Sequence, residues 1–392
     1  MPGSYSAIPS GATSKPEPFT LSVPEQELSE FKTLLKLSKL GPATWEGKQE
    51  DRRFGVTHEW MTNAKDYWLN KFDWRAQEKH INSFPNFKLA IKDDDGEEYS
   101  VHFAALFSEK KDAIPIAFLH GWPGSFLEFL PILGLLKKKY SPKELPYHVI
   151  VPSLPGYTLS SGGPLNKDFT TGDTARIIHK LMTQLGLGGG YIVQGGDVGS
   201  FVGRILAHEY DACKALHLNM LVVVPPPADA EITQSEKEGL ARMKGFYDHG
   251  RAYALEHGTR PSTIGHVLSS SPLALLAWIG EKFLEWTDAD PTLDQILESV
   301  SLYWFTSAFP RSIYPYRGLF GPNTRPDPYC DKPLGFSYFP LELAPAPKAW
   351  VASKGNLVFH REHEKGGHFA AMECPDLLLQ DVEDFAKQVW TV

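Results

Sequence analysis

Cysteine is scarce in this sequence: Cys213, Cys330 and Cys374 are the three among 392 residues. Their scatter leaves no CxxC pair and no disulfide framework, so they are expected as reduced thiols in an intracellular, cytoplasmic protein. Positive charge is not in excess. Lys and Arg number 39 against 47 Asp and Glu, and a net charge of −8 argues against a nucleic-acid partner. Long apolar runs are missing too. The longest, Pro272 to Trp286, is interrupted by Glu281 and Lys282 and is too short to span a bilayer. Met1 to Pro18 is rich in Ser, Pro and Gly and lacks a signal-peptide core, so it is expected as a disordered arm. The expectation is a soluble protein with no membrane anchor. No internal repeat is apparent.

What is present is a chain long enough for one large domain with an insertion, or for two. From Phe19 to Pro85 the pattern is helical and aromatic. Leu28, Phe31, Leu34, Leu35 and Leu37 follow a near-helical period, with Pro24 at the start. This region, 1–86, is expected to wrap over the main domain, its apolar content being thin for a separate helical domain. Phe87–Ile91 and Tyr99–Phe103 flank Asp93-Asp94-Asp95-Gly96 and predict a hairpin. Ile114–Leu119, His148–Val151, Tyr191–Val193 and Ala215–Val224 read as buried strands separated by helical segments, one of them capped by Asp173. That alternation predicts a mostly parallel, doubly wound α/β sheet. Pro225-Pro226-Pro227 breaks the alternation, and an aromatic helical insertion follows to Asp331. The expected division is core 87–226, helical cap 227–331 and core 332–392.

Within this frame, Gly195-Gly196-Asp197-Val198-Gly199 ends a buried strand and precedes a helix expected from Ser200. Glycines two residues before and after a central residue form the pattern of the nucleophile elbow in α/β-hydrolases. Here the central residue is Asp197. A histidine near the C-terminus should follow, and His368 sits in Gly366-Gly367-His368-Phe369 after the last strand. His360 and His363 read as exposed polar residues nearby. The acid should lie after the preceding strand. Glu342 takes that place in Pro340-Leu341-Glu342-Leu343, with Glu362 as its rival. His120-Gly121-Trp122-Pro123 follows a buried strand as an oxyanion loop does, with the N–H groups of Trp122 and Val198 as donors.

A carboxylate nucleophile restricts the chemistry. Attack on an acyl carbon gives an anhydride, whereas attack on an alkyl carbon gives an ester that water can hydrolyse. The pattern therefore points to C–O or C–halogen cleavage at a saturated carbon. An epoxide oxygen leaves poorly and needs a proton, which tyrosines of the insertion could supply. Position alone leaves Tyr247, Tyr253, Tyr303, Tyr314 and Tyr316 open.

The chain resembles epoxide hydrolases of the microsomal type, particularly soluble fungal members, along nearly its whole length after Phe19. The matching stretches are His120-Gly121-Trp122-Pro123-Gly124-Ser125, Gly195-Gly196-Asp197-Val198-Gly199-Ser200, Ser271-Pro272-Leu273, Glu281-Lys282-Phe283, Leu302-Tyr303-Trp304 and Gly366-Gly367-His368-Phe369. The resemblance implies Asp197 as nucleophile, His368 as base, Glu342 as acid, and Tyr253 and Tyr316 as proton donors, with Tyr314 the local competitor. It implies no metal or organic cofactor. Water and a small apolar or aromatic epoxide are the expected partners, and a homodimer is left open. A dehalogenase with the same triad and a non-catalytic homologue are the rival readings.

Overall fold

The chain's apolar runs assemble into one sheet. The computed structural model describes residues 5–224, 231–320 and 328–390. Its strands are β1 (Glu17–Phe19), β2 (Asn86–Lys92), β3 (Glu98–Leu106), β4 (Ile114–Leu119), β5 (Tyr147–Pro152), β6 (Tyr191–Gly195), β7 (Cys213–Leu218), β8 (Cys330–Tyr338) and β9 (Gly355–Glu362). Among the described residues they lie in the order β1-β2-β3-β5-β4-β6-β7-β8-β9. The hairpin β2–β3 and its neighbours β1 and β5 pair antiparallel. From β5 through β9 all pairs are parallel. Strands β4 to β6 are apolar along nearly their whole length because helices cover both faces of the sheet. This is the α/β-hydrolase fold.

Register brings distant loops together. Leu119 pairs with Gly195 and Gly195 with Leu218, so the chain leaves β4, β6 and β7 at one edge of the sheet. Beyond β8 and β9 a bridge between Leu341 and Gly367 continues the parallel pairing. It sets Glu342 and His368 side by side.

The N-terminal helices Glu25–Leu37, His58–Asn70 and Trp74–Ile81 pack against helices of the insertion. Phe31 meets Trp304 and Phe305, and the buried Trp68 Nε1–H donates to Ser301 Oγ at 3.1 Å. Leu28, Phe31 and Leu35 form the buried stripe, while Leu37 is exposed at its end.

Five readings of the sequence need correction. The arm is ordered from Tyr5: its ring is buried, its hydroxyl donates to the Tyr140 carbonyl, and its own carbonyl accepts from Phe107 N–H. The helix Thr171–Met182 is capped by Thr170, with Asp173 as the reciprocal partner three residues in. Each side chain satisfies the other's backbone N–H, which Asp173 alone could not do. Strand β7 stops at Leu218. There Asn219 turns to accept from Gln194 Nε2 at 2.9 Å, and Met220 to Val223 are packed outside the ladder. The elbow helix starts at Asp197, because Ser200 N–H already bonds to the Gly196 carbonyl. Finally, His363 is bonded at 2.7 Å to the buried Asp381, and His360 is half-buried against Phe336. The proline break at 225–227 lies outside the described residues.

No single helix among the described residues is long and apolar enough to cross a membrane. The helices Pro261–Ser269 and Pro272–Glu285 reach that length only together, across a 117° bend.

Candidate active site

The site begins with backbone strain. Asp197 adopts φ +45°, an uncommon conformation for a side-chain-bearing residue, at the turn from β6 into the helix Asp197–Glu209. The turn closes only because its neighbours are small. A Cβ on Gly199 would lie 2.1 Å from the Leu119 carbonyl oxygen. A Cβ on Gly121 would lie 2.0 Å from the Asp197 carboxylate itself. The acid is thereby held at the sheet edge, partly exposed, against the loop after β4.

That loop supplies an amide. Trp122 N–H donates to Asp197 Oδ1 at 2.7 Å. His120 fixes the loop from beneath: Leu154 N–H donates to its Nε2 at 3.1 Å, so the proton sits on Nδ1 and is given to the Gly121 carbonyl. Burial lowers the His120 pKa to about 4, so the ring is neutral in this role. Val198 heads the elbow helix directly after Asp197, but its N–H makes no bond to the carboxylate in this geometry.

His368 meets the other oxygen of Asp197. Its Nε2 lies 3.5 Å from Asp197 Oδ2, and its Nδ1 lies 2.8 Å from Glu342 Oε1. Glu342 is buried, and the same oxygen accepts from the N–H of Leu343 at 2.6 Å. Glu362, the rival acid, is exposed at the end of β9. Burial disfavours the imidazolium of His368, but the carboxylates of Glu342 and Asp197 outweigh burial and hold its pKa well above the ordinary value. The loop is pinned by His368 N–H to the Trp286 carbonyl at 2.9 Å, and by Glu373, which accepts from Gly367 and Phe369 N–H.

Two tyrosines of the insertion roof the site. Tyr253 stacks on Trp122 with ring centres 5.4 Å apart, and Tyr316 meets the same ring edge-on at 5.9 Å. The two tyrosines lie 5.7 Å apart. Burial raises both phenol pKa values, and the negative charge of Asp197 raises them further, so both are protonated at neutral pH. Tyr314 points elsewhere: its hydroxyl is 2.5 Å from Thr174 Oγ1. Tyr303 donates to the Gly124 carbonyl at 2.9 Å, and Tyr247 is on the surface.

Some neighbours carry little signal in the sequence. His257 is fully buried, accepts from Trp278 Nε1–H at 2.9 Å and lies edge-on to Trp122 at 4.5 Å. Burial pulls its pKa down to about 3. Glu128 lines a small cavity with Asp197 and His368. Its position eight residues after His120 was the available cue, but acids in short helices are common.

The turn at Asp197 and the histidine facing its carboxylate are those of an α/β-hydrolase that carries an acid at the elbow. Two family profiles match: "Epoxide hydrolase N terminus" over residues 16–129 and "alpha/beta hydrolase fold" over residues 114–248. A Dothistroma septosporum relative assigned to the epoxide hydrolases is 46% identical, covering 97% of this chain and 92% of its own. Epoxide hydrolase 1 of Sus scrofa is 32% identical over 94% of this chain and 88% of its own. The solved structure of Aspergillus niger epoxide hydrolase superposes with a TM-score of 0.94 at 54% identity, over 99% of this chain and 100% of that one. The chain belongs to the epoxide hydrolase family. It is an enzyme, and its substrates are an epoxide and water; the haloalkane and non-catalytic readings are set aside.

Proposed function

We propose that hydrolysis proceeds in two steps through an ester on Asp197. Asp197 Oδ2 attacks an epoxide carbon as Tyr253 and Tyr316 give hydrogen bonds, and then a proton, to the opening oxygen. A tyrosine pair suits this task because a neutral phenol can both bind the ring oxygen and donate to the developing alkoxide. The product is a 2-hydroxyalkyl ester. His368 then takes a proton from water as that water attacks the ester carbonyl carbon. The negative oxygen of the tetrahedral intermediate is Oδ1, which Trp122 N–H already serves. Val198 N–H would join it as charge accumulates there. Collapse breaks the Cγ–Oδ2 bond, His368 gives its proton to the departing alkoxide, the vicinal diol leaves, and the proton of the regenerated Asp197 carboxyl restores the tyrosine that protonated the epoxide oxygen.

In this reading Glu342 fixes the His368 tautomer and stabilises the imidazolium. The aromatic roof favours an apolar or aryl epoxide. The same reading divides the chain into a wrapping segment 1–86, a core 87–226 and 332–392, and a cap 227–331 that carries both tyrosines.

The observation that carries the proposal is the placement of Asp197: strained at the elbow, bound by an amide on one oxygen and faced by histidine on the other. Asp197→Ala tests it directly. Diol formation should fall to the uncatalysed background, and a variant with near-original turnover would contradict the proposal.

A further inference from the structure

A small cavity adjoins the Asp197–His368 pair, with about 20 Å³ of room for the centre of a water molecule. One water needs roughly 10–15 Å³ on that measure. Gly121, Trp122, Glu128, Asp197, Asn219 and His368 line it, whereas Tyr253 and Tyr316 do not. The two tyrosine rings thus form no part of its walls. A water there has the base and the future ester carbon within its walls.

Glu128 is an acid in this lining that the two-step scheme leaves without a role. It belongs to the short helix Phe126–Phe129, whose entry is fixed by Ser125 Oγ accepting from Leu127 N–H at 3.2 Å. Its side chain folds back over the loop. A Cβ built on Gly124 would lie 1.5 Å from Glu128 Oε1. The cap holds this stretch in turn, through the Tyr303 hydroxyl on the Gly124 carbonyl. Burial pushes the carboxyl pKa of Glu128 up to about 8; the charge of His368 pulls it down and that of Asp197 raises it. At neutral pH the group is mainly a neutral acid, whose hydroxyl donates and whose carbonyl oxygen accepts, and the backbone N–H of Ser125 helps to hold the carboxyl in place.

We propose that Glu128 is a catalytic residue of the ester-hydrolysis step, holding the attacking water in this cavity. The inference rests on the two-step reading above. The water donates one hydrogen to His368 Nε2 and the other to the carbonyl oxygen of Glu128. Its lone pair is thereby left facing Cγ of the aspartyl ester. The new O–Cγ bond forms as His368 takes the proton; the Cγ–O bond to the alkyl group then breaks and His368 protonates the leaving diol. Glu128 ends the cycle with the proton it started with.

Rapid-quench single turnovers with styrene oxide, read by protein mass and diol formation, separate the two steps. Glu128→Leu should leave ester formation within about three-fold of the original enzyme and slow its breakdown about 10²-fold, the scale expected when a reacting group is misplaced by about 1 Å. The protein carrying one substrate mass should accumulate. Glu128→Gln keeps an acceptor oxygen and should restore most of the breakdown rate. Gly124→Ala leaves the acid in the protein but drives its carboxyl from the cavity, and should slow the same step. Should Glu128→Leu not fold, Gly124→Ala carries the test alone. Ester breakdown at the original rate in a folded Glu128→Leu or Gly124→Ala protein overturns the inference, as does equal slowing of both steps. If the unsubstituted enzyme forms no ester, the two-step reading falls and this inference with it.

Discussion

His368 Nε2 stands 3.5 Å from Asp197 Oδ2. That separation is close enough for attraction and too long for a tight ion pair, which suits a pair that must part. In the proposed mechanism, alkylation of Asp197 would remove its charge, and the histidine would lose one of the two carboxylates that raise its pKa. An ester at Asp197 would therefore make His368 more readily neutral, the form a general base requires.

Two consequences can be measured on the ester step. His368→Gln should form the ester and fail to hydrolyse it, so that substrate-labelled protein persists. In the unsubstituted enzyme the breakdown rate should rise with pH and level off. Its apparent pKa should lie below the value for His368 titrated by NMR in the free enzyme. Equal values would mean that Asp197 does not govern the base.

The tyrosines separate by geometry. Tyr253 and Tyr316 share the Trp122 ring, while Tyr314 is bonded to Thr174. Tyr253→Phe and Tyr316→Phe should each slow ester formation by about 10²-fold, within the range for loss of a proton donor. Tyr314→Phe should change it by less than about three-fold. Single-turnover rates check the ranking, and a larger effect at Tyr314 than at Tyr316 would reassign the donor.

Much of this fold was legible because it is written in local patterns. The apolar runs of β4, β5 and β6 could hardly be anything but buried strands, and the glycines around Asp197 mark the elbow by their spacing. The bridge between Leu341 and Gly367 was not readable, yet it is what sets Glu342 beside His368. Tyr314 and Tyr316 illustrate the limit well. Two residues apart in one turn, they differ only in what the tertiary fold puts opposite them. The overlong β7 arose from apolarity alone, since Met220 to Val223 are as hydrophobic as a strand but follow the turn at Asn219. The Ser-Pro-rich arm misled in the opposite direction, because composition says nothing of the buried Tyr5 ring.

Acid should destabilise the protein early. His102, His120, His148, His217 and His257 are buried, and burial lowers the pKa of each. The values are about 4 for His120, His148 and His217 and about 3 for His257. The unfolded chain, with histidines near 6.5, binds more protons throughout this window. Stability is thus full above pH ~6.5 and falls as pH drops, by up to ~1.4 kcal/mol per pH unit for each such histidine. His368 and Glu128 act in the opposite sense: the contribution of His368 is complete below pH ~6.5 and that of Glu128 below pH ~4.5, and each is lost as pH rises through its elevated folded-state value. Urea unfolding between pH 7.5 and 4.5 should show the decline, because five lowered histidines outnumber these two groups, whereas a flat profile would contradict that balance.

The central claim is that oxygen reaches the diol from Asp197 and not from free water. A single turnover with enzyme in excess, in water enriched in ¹⁸O, tests it most directly. The account predicts an unlabelled first diol, with one heavy oxygen left in the tryptic peptide that contains Asp197. A first-turnover diol that carries the solvent label, with an unlabelled Asp197 peptide, would contradict it.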